Sequence, residues 1–273
     1  MTFSIVATDG TAWGVAVASK FLGVGTAVPA AAAGVGAIAT QSWANLAYRP
    51  DGLAMLRDGK SAQETLDALT SADELRAERQ AGIVDAHGRA ATYTGSGCNP
   101  WAGGVTGDSY AIQGNILVGA EVVDAMEQAW LSSPADAPLT RRLLAALRAG
   151  DDAGGDRRGR QSAALLVVTP EGGYGGGSDV FADLRVDDHP QPVTELTRLL
   201  DLHDVYFGKP DPATLVALDG DIADEVRRKL AALGHDDPDL DKALADWAGI
   251  ENYEERLVPG KIDPVVLEKL RDA

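Results

Sequence analysis

Thr2 stands directly behind Met1 and opens the run Phe3-Ser4-Ile5-Val6-Ala7, which reads as a buried strand. Methionine is commonly trimmed when the second residue is small, so the mature chain is expected to begin at Thr2. A threonine with a free α-amine carries nucleophile and general base in one residue, because the amine takes the hydroxyl proton directly or through a water. Thr2 is therefore the candidate nucleophile. A small second residue also serves merely to permit methionine removal, and a motif this short decides nothing alone.

A hydrolase built on such a nucleophile needs donors for the oxyanion and a grip on its substrate. Gln41, Asn45 and Asn115 are neutral amides at or near expected strand ends. Each can donate to an oxyanion or to a substrate carboxylate, or simply cap a loop. Arg157, Arg158 and Arg160 form a dense positive cluster in an acidic chain. A guanidinium binds a carboxylate bidentately, so Arg160, nearest the following strand, points to a small acidic or N-acylated amide as substrate. The bland reading of the cluster is a surface loop that balances neighbouring acids.

Other reactive groups carry less. Cys98 sits in a Gly-bounded loop with no histidine that can be shown to approach it, so a structural thiol is expected. His189 follows Asp183, Asp187 and Asp188 without a second histidine at zinc-site spacing, which reads as a polar turn. The glycines from Gly172 to Gly177 lack the Lys-Ser/Thr of a phosphate loop and read as a hairpin. No metal and no cofactor is expected.

The composition narrows the function classes. A formal net charge of −17 repels phosphates and anionic lipid, so neither nucleic acid nor membrane is an expected partner. With a single cysteine there is no disulfide framework and no thiolate zinc cluster. The first residues lack a basic region leading into an apolar one, and a cytoplasmic location is expected. The remaining partners are a small-molecule substrate, in particular a carboxylate-bearing one, and further copies of the chain in a homo-oligomer.

The elements that must position these residues follow from periodicity. Strands are expected over residues 2–8, 13–19, 24–28 and 35–41, each mixing β-formers with small side chains. Between 51 and 80 the period becomes helical, and Ser61 with Glu64 has the spacing of a capping box that starts a second helix. Strands return at 80–85, 89–94 and 109–118, helices at 121–131 and 139–149, and strands at 162–169 and 180–186. A helix over 196–202 precedes a proline-marked linker from about Tyr206. The tail reads as short amphipathic helices, giving a main domain over 1–205 and a small helical domain over 206–273.

Alternating blocks of strands and helices point to mostly antiparallel sheets with helices outside, an α+β class. A four-layer αββα sandwich with its first strand placed centrally resembles the N-terminal nucleophile (Ntn) hydrolases. The segments Met1 to Ala7, Val35 to Gln41, Gln113 to Asn115 and Gly155 to Ala163 are similar to the bacterial family known as domain of unknown function 1028. The tail around Trp247 to Arg256 resembles the peptidoglycan-binding-like module appended to many of its members.

The resemblance implies site roles. Proteasome-like relatives place an acid on the second strand and a lysine on a later one, whereas this chain has Ala18-Ser19-Lys20 and then small residues from Gly34 to Ala37. Lys20 is the substitute that could depress the amine pKa, against the plain reading of a solvated strand-end lysine. Asp156 and Ser162 stand where the pattern has an aspartate and a serine supporting the terminal amine. Two functions follow. One is a hydrolase of a linear C–N amide bond acting through Thr2. The other is a non-catalytic scaffold of the same fold whose tail recruits a partner or a cell-wall fragment.

Overall fold

The computed structural model describes residues 2–273; Met1, on whose removal the Thr2 chemistry depends, lies outside the described residues. The chain divides into two compact units, the first ending at Leu199 and the second spanning Leu200–Ala273.

In the first unit β1 (Thr2–Thr8) and β2 (Trp13–Ser19) are buried at all seven positions of each strand, as their charge-free sequences require. They form the middle of a six-stranded sheet with β7 (Gly103–Gly107), β8 (Tyr110–Asn115), β9 (Ser162–Val168) and β10 (Val180–Val186), in the order β10-β9-β2-β1-β8-β7. A second sheet, β3-β4-β5-β6, comprises Pro29–Ala32, Gly36–Ser42, Arg79–Asp85 and Ala90–Thr94. Every strand pairing in these two sheets is antiparallel.

Side chains alternate between the two faces of a strand, and the partition of the core follows that period of two. Ala37 and Ala39 of β4, with Val84 of β5, meet Val6, Val15, Val17, Ala111 and Ala164 of the six-stranded sheet. From the other face of the smaller sheet, Ile38, Ala81 and Ile83 meet Leu56, Leu66 and Leu69 of α1 (Tyr48–Arg57) and α2 (Ala62–Ser71). Ser61 closes the expected capping box on α2, accepting from the Glu64 N–H while the Glu64 carboxylate accepts from the Ser61 N–H. The helices α3 (Glu121–Ser132) and α4 (Leu139–Asp152) pack on each other and on the larger sheet. There Gly150 leaves room for Met126 and Phe3, since a Cβ at that position would stand 2.7 and 3.2 Å from them.

Several expectations needed correction. Residues 24–28 are not a strand: Val24–Thr26 form a 3₁₀ turn, and the strand is made instead by Pro29–Ala32, the start of the alanine run. Alanine intrinsically favours helix, and antiparallel pairing with β4 overrides that preference here. β7 was hidden because glycine starts, interrupts and ends it. The helix expected over 196–202 is α5, Pro192–Phe207, with its proline in the first turn where the missing N–H costs nothing.

The second unit contains α6 (Gly220–Ala232), α7 (Leu240–Glu251) and α8 (Pro264–Asp272) around Leu230, Leu244, Trp247, Tyr253 and Leu270. It also has a short antiparallel pair, β11 (Val216–Ala217) with β12 (Lys261–Ile262), that the helical reading did not anticipate. Arg256 is buried there, donating to Asp263 Oδ2 at 2.8 Å and to the Val205 carbonyl at 2.6 Å. Asp263 meanwhile caps α8 through the Val265 N–H. Among the described residues of the chain, no helix is long and apolar enough to cross a membrane.

Candidate active site

One end of the larger sheet presents a transverse row of polar side chains to the smaller sheet. Asn115 pairs with Thr2 across β8 and β1, and Ser19 pairs with Ser162 across β2 and β9. Thr2 Oγ1 and Ser19 Oγ share a hydrogen bond of 3.1 Å, which completes the row. Opposite it the smaller sheet brings Gln41, Gln80 and Thr94, again as successive cross-strand partners. One step further in, Ser4 pairs with Gln113, facing Gly82 and Thr92. Gly82 is required here, because a Cβ would stand 2.1 Å from Gln113 Oε1.

Apart from the half-buried Thr92 and Thr94 these side chains are buried, and all but Ser162 are bonded within the group. Gln80 Nε2 donates to the carbonyls of Gly114 (2.7 Å) and Gly103 (3.2 Å), and to Thr94 Oγ1 (2.9 Å). Those carbonyls fix the orientation of the Gln80 amide, and its Oε1 accepts from Gln41 Nε2 at 2.8 Å and Asn115 Nδ2 at 2.9 Å. Gln41 Nε2 also reaches the carbonyls of Thr2 and Gln113, both at 3.3 Å, so its Oε1 is the end that accepts from Ser4 Oγ at 2.7 Å. Ser4 Oγ in turn accepts from Gln113 Nε2 at 2.6 Å. Backbone carbonyls thus set the polarity of the network, and one acceptor remains unspent among the described residues: Asn115 Oδ1 is buried and has no hydrogen-bond partner there.

A cavity of about 340 Å³ opens beside this row, lined by Thr2, Ser19 and Gln41 on its polar side. Phe21, Val24, Ala27, Val28, Trp43 and Leu46 supply the apolar wall, and Ser42, Ala44 and Arg79 complete it. The segment carrying Trp43 is braced from outside. Ser42 takes a left-handed φ of 69°, uncommon for a residue with a Cβ. Arg79 donates to the Trp43 carbonyl and, through Nε, to Asp73 Oδ2 at 2.8 Å. Asp73 also accepts from Asn45 Nδ2 at 2.9 Å and Tyr48 OH at 3.1 Å. The Arg79 guanidinium, aided by Asn45, the Leu75 N–H and Tyr48 and opposed by burial, holds the Asp73 carboxyl well below the usual carboxylate range. Burial and the adjacent Asp73 push the Tyr48 phenol up.

Of the residues singled out by sequence, Thr2 and Gln41 line the cavity, while Asn115 joins the network behind them. Asn45 lies one layer out, on Asp73. Ser162 occupies the end row, but its Oγ donates to the Phe21 carbonyl and accepts from the Val24 N–H at 3.1 Å, tying down the turn that forms the cavity wall. Asp156 accepts from the Lys20 N–H at 2.7 Å and the Arg158 N–H at 2.8 Å, and so fixes the end of β2. The Lys20 ammonium points to the Arg160 carbonyl at 3.3 Å, and Arg160 Nε donates to both carboxylate oxygens of Asp151, at 2.7 and 2.9 Å, while its Nη2 donates to the Asp151 carbonyl at 3.1 Å. Lys20, Asp156 and Arg160 therefore form a loop cluster apart from the cavity lining.

Comparison with known proteins gives the relationship. The model described as "Family of unknown function (DUF1028)" matches residues 2–196. The chain belongs to the DUF1028 family. A crystal structure of protein SPO2555 from Silicibacter pomeroyi, also a DUF1028 protein, is similar at a TM-score of 0.67 and 34% identity, covering 82% of this chain and 92% of that one. Anbu, the ancestral β-subunit from Yersinia bercovieri, gives a TM-score of 0.36 at 12% identity over 73% of this chain and 93% of that one, too low to decide anything. No curated protein matches. Residues 206–270 match a second model, described as "Putative peptidoglycan binding domain".

Ser19, Gln80, Arg79 and Trp43 of this DUF1028 chain were not anticipated. A signal for the first two was present: polar residues recur at alternate positions, always at one end of otherwise apolar strands, as in Thr2 and Ser4, Gln113 and Asn115, and Thr92 and Thr94. On a half-apolar strand that pattern puts polar groups inside, on the face shared with Val6 and Ala111. Nothing local marks Arg79 or Trp43, which are brought to the cavity by β5 and by the turn after β4. Cys98 is buried with its thiol on the Arg79 carbonyl at 3.3 Å, and His189 Nδ1 accepts from the Gln191 N–H. Among the described residues no cluster of three or more His, Cys, Asp or Glu side chains could hold a metal.

Proposed function

We propose that the first unit is an Ntn-type four-layer αββα hydrolase that cleaves the linear C–N amide bond of a small N-acylated molecule. Thr2 is its nucleophile once Met1 has been removed. The observation that carries this is the position of Thr2: the first residue of the central strand, with its hydroxyl on Ser19 and bordering a cavity of about 340 Å³. That volume is at the small end of ligand sites, roughly 300–1,000 Å³.

The chemistry runs as follows. The Thr2 hydroxyl attacks the amide carbon while its own amine takes the proton, directly or through a water. The tetrahedral intermediate then expels the leaving amine, which is protonated by the same group, and water hydrolyses the ester left on Thr2. The amides of Gln41 and Asn115 brace the nucleophile rather than serve as free oxyanion donors, because their hydrogens are spent on Thr2 O, Gln80 Oε1 and Gln113 O. Asn115 brings its unspent Oδ1 to the Thr2 end of the sheet, an acceptor suited to an N–H of the freed amine. The engagement of the Lys20 ammonium with Arg160 favours a second reading, a scaffold of this fold without catalysis.

Intact mass of the purified protein, followed by turnover of N-acyl amides by wild type and Thr2→Ala, tests the proposal. A chain lacking Met1 whose activity falls at least about a thousandfold in the variant is expected, in line with the loss of a covalent nucleophile. Retained Met1 removes the free amine and sinks the mechanism, unchanged turnover in Thr2→Ala rules out Thr2 as the nucleophile, and wild type that turns over no amide leaves the scaffold reading.

A further inference from the structure

The cavity beside Thr2 says more about its ligand than that it is an amide. Its wall is apolar where it opens to solvent: Trp43 is 71% exposed, Phe21 53% and Leu46 47%. Three large apolar side chains around one opening form the kind of patch that marks a binding site rather than scattered surface hydrophobics. The backbone that carries Trp43 is also held in place. The carbonyl of Trp43 is bonded by Arg79, and Arg79, Asn45 and Tyr48 all converge on Asp73. A platform fixed before the ligand arrives loses little entropy on binding.

The cation in the cavity wall is matched. Among the described lining residues Arg79 is the one cation, and its Nε and Nη2 donate to the two oxygens of Asp73, at 2.8 and 3.4 Å. Outside the lining, Arg160 Nε donates to both oxygens of Asp151, the Lys20 ammonium lies against the Arg160 carbonyl, and Arg49 donates to the Thr26 carbonyl at 2.7 Å. The chain as a whole carries −17. A carboxylate entering here would lose its hydration without gaining an unmatched cation from the described lining, inside a repulsive field. An apolar group would lose nothing and cover Phe21, Leu46 and Trp43.

We infer that the cavity selects an uncharged, apolar acyl group, aryl or medium-chain alkyl, and that Trp43 and Phe21 determine this specificity. The inference rests on the amide-hydrolase reading only for the claim that the ligand is a substrate. Hydrolysis of phenylacetyl-, hexanoyl- and succinyl-p-nitroanilide tests it, since the three share a leaving group and differ in the acyl part. The apolar acyl groups should be favoured in kcat/KM by at least about tenfold over succinyl, a discrimination within reach of an apolar pocket. Trp43→Ala and Phe21→Ala should each shrink that ratio about fivefold, chiefly through KM, with unchanged melting temperature. A preference for succinyl, or a ratio that neither variant moves, overturns the inference even if every turnover depends on Thr2.

Calorimetric titration of Thr2→Ala with phenylacetamide and with succinamate separates the two claims. If no anilide is cleaved but phenylacetamide binds and succinamate does not, and Trp43→Ala abolishes that binding, the specificity stands and the hydrolase reading fails. If neither amide binds, or succinamate binds better, the specificity is wrong.

Discussion

Replacing Gln80 by leucine tests whether the polar network holds the two sheets together. Leucine is close to glutamine in volume but offers no polar atom, so the change deletes hydrogen bonds without opening a large void. Gln80 is fully buried and makes five contacts, two as acceptor and three as donor. The partners do not lose equally. Gln41 Nε2 keeps the carbonyls of Thr2 and Gln113, and the contacts at Thr94 and Gly103 are only part-buried, where water can substitute. The Asn115 amide falls back on one marginal contact to Thr2 O at 3.5 Å, and the Gly114 carbonyl loses its 2.7 Å donor in a buried setting. Two groups left short at about 1–3 kcal/mol each give a loss of about 2–6 kcal/mol. For a unit of this size that lowers the melting temperature by roughly 5–20 °C. Thermal and urea unfolding followed by circular dichroism measures both. Gln80→Glu sharpens the test. A buried carboxyl facing two carbonyls must carry a proton, so its folded pKa is raised. Its stability should then approach wild type near pH 4 and fall as the pH rises above the unfolded value of about 4.3. A Gln80→Leu variant within about 0.5 kcal/mol of wild type would refute the assignment of stability to this network.

Removing the carboxylate with Asp73→Asn leaves Arg79 near-buried without its counter-charge and should cost about 3 kcal/mol at pH 7. Because the folded Asp73 pKa is depressed, its contribution is complete above about pH 5 and is lost as the pH falls through the folded value; denaturant titrations at pH 7 and in acid should show the gap between variant and wild type closing. Gly82→Ala drives a methyl into Gln113 Oε1 and should destabilise by about 1–3 kcal/mol in urea unfolding, whereas Gly34→Ala, where a Cβ meets nothing, should show only the strain of its positive φ. Ser61→Ala breaks the capping box of α2 and should cost about 1 kcal/mol in the same assay.

What was legible in the sequence is what local physics decides. β1 and β2 carry no charge and no breaker, so their burial, and the central place of β1, could be read directly. The start of α2 was announced by Ser61 and Glu64, whose side chains need only each other's backbone. Where local preference is weak or points elsewhere, pairing decided instead: the alanines after Pro29 became a strand because β4 offered them hydrogen bonds, and Gly103–Gly107 became one because β8 did. The site divided the same way. Thr2 was found because a hydroxyl residue stands directly behind Met1, and Gln41 because it is an amide at an expected strand end. Asp156 and Ser162 were chosen on the family resemblance and Arg160 for its charge, and the two charged groups have partners of their own: Asp156 holds Lys20 N, and Arg160 holds Asp151.

That division bears on how a threonine amine could work here without a lysine beside it. The groups bonded to Thr2 are neutral: a serine hydroxyl and two carboxamides. A nearby cation lowers an amine's pKa through repulsion, but burial does so as well, because low dielectric disfavours the ammonium form. The proposed mechanism needs that amine neutral when it takes the proton, and burial of Thr2 disfavours the ammonium form. The proposed mechanism therefore predicts a base set by burial, and removing the Lys20 charge should barely matter. In Lys20→Met the kcat/KM profile should keep its acidic limb within about 0.3 pH units of wild type. Asn115→Leu removes both the acceptor near that end and a donor to the Thr2 carbonyl, and should shift the limb or abolish turnover. A limb that moves with Lys20 and not with Asn115 would mean that the ammonium reaches the amine during turnover and that burial is not what sets the base.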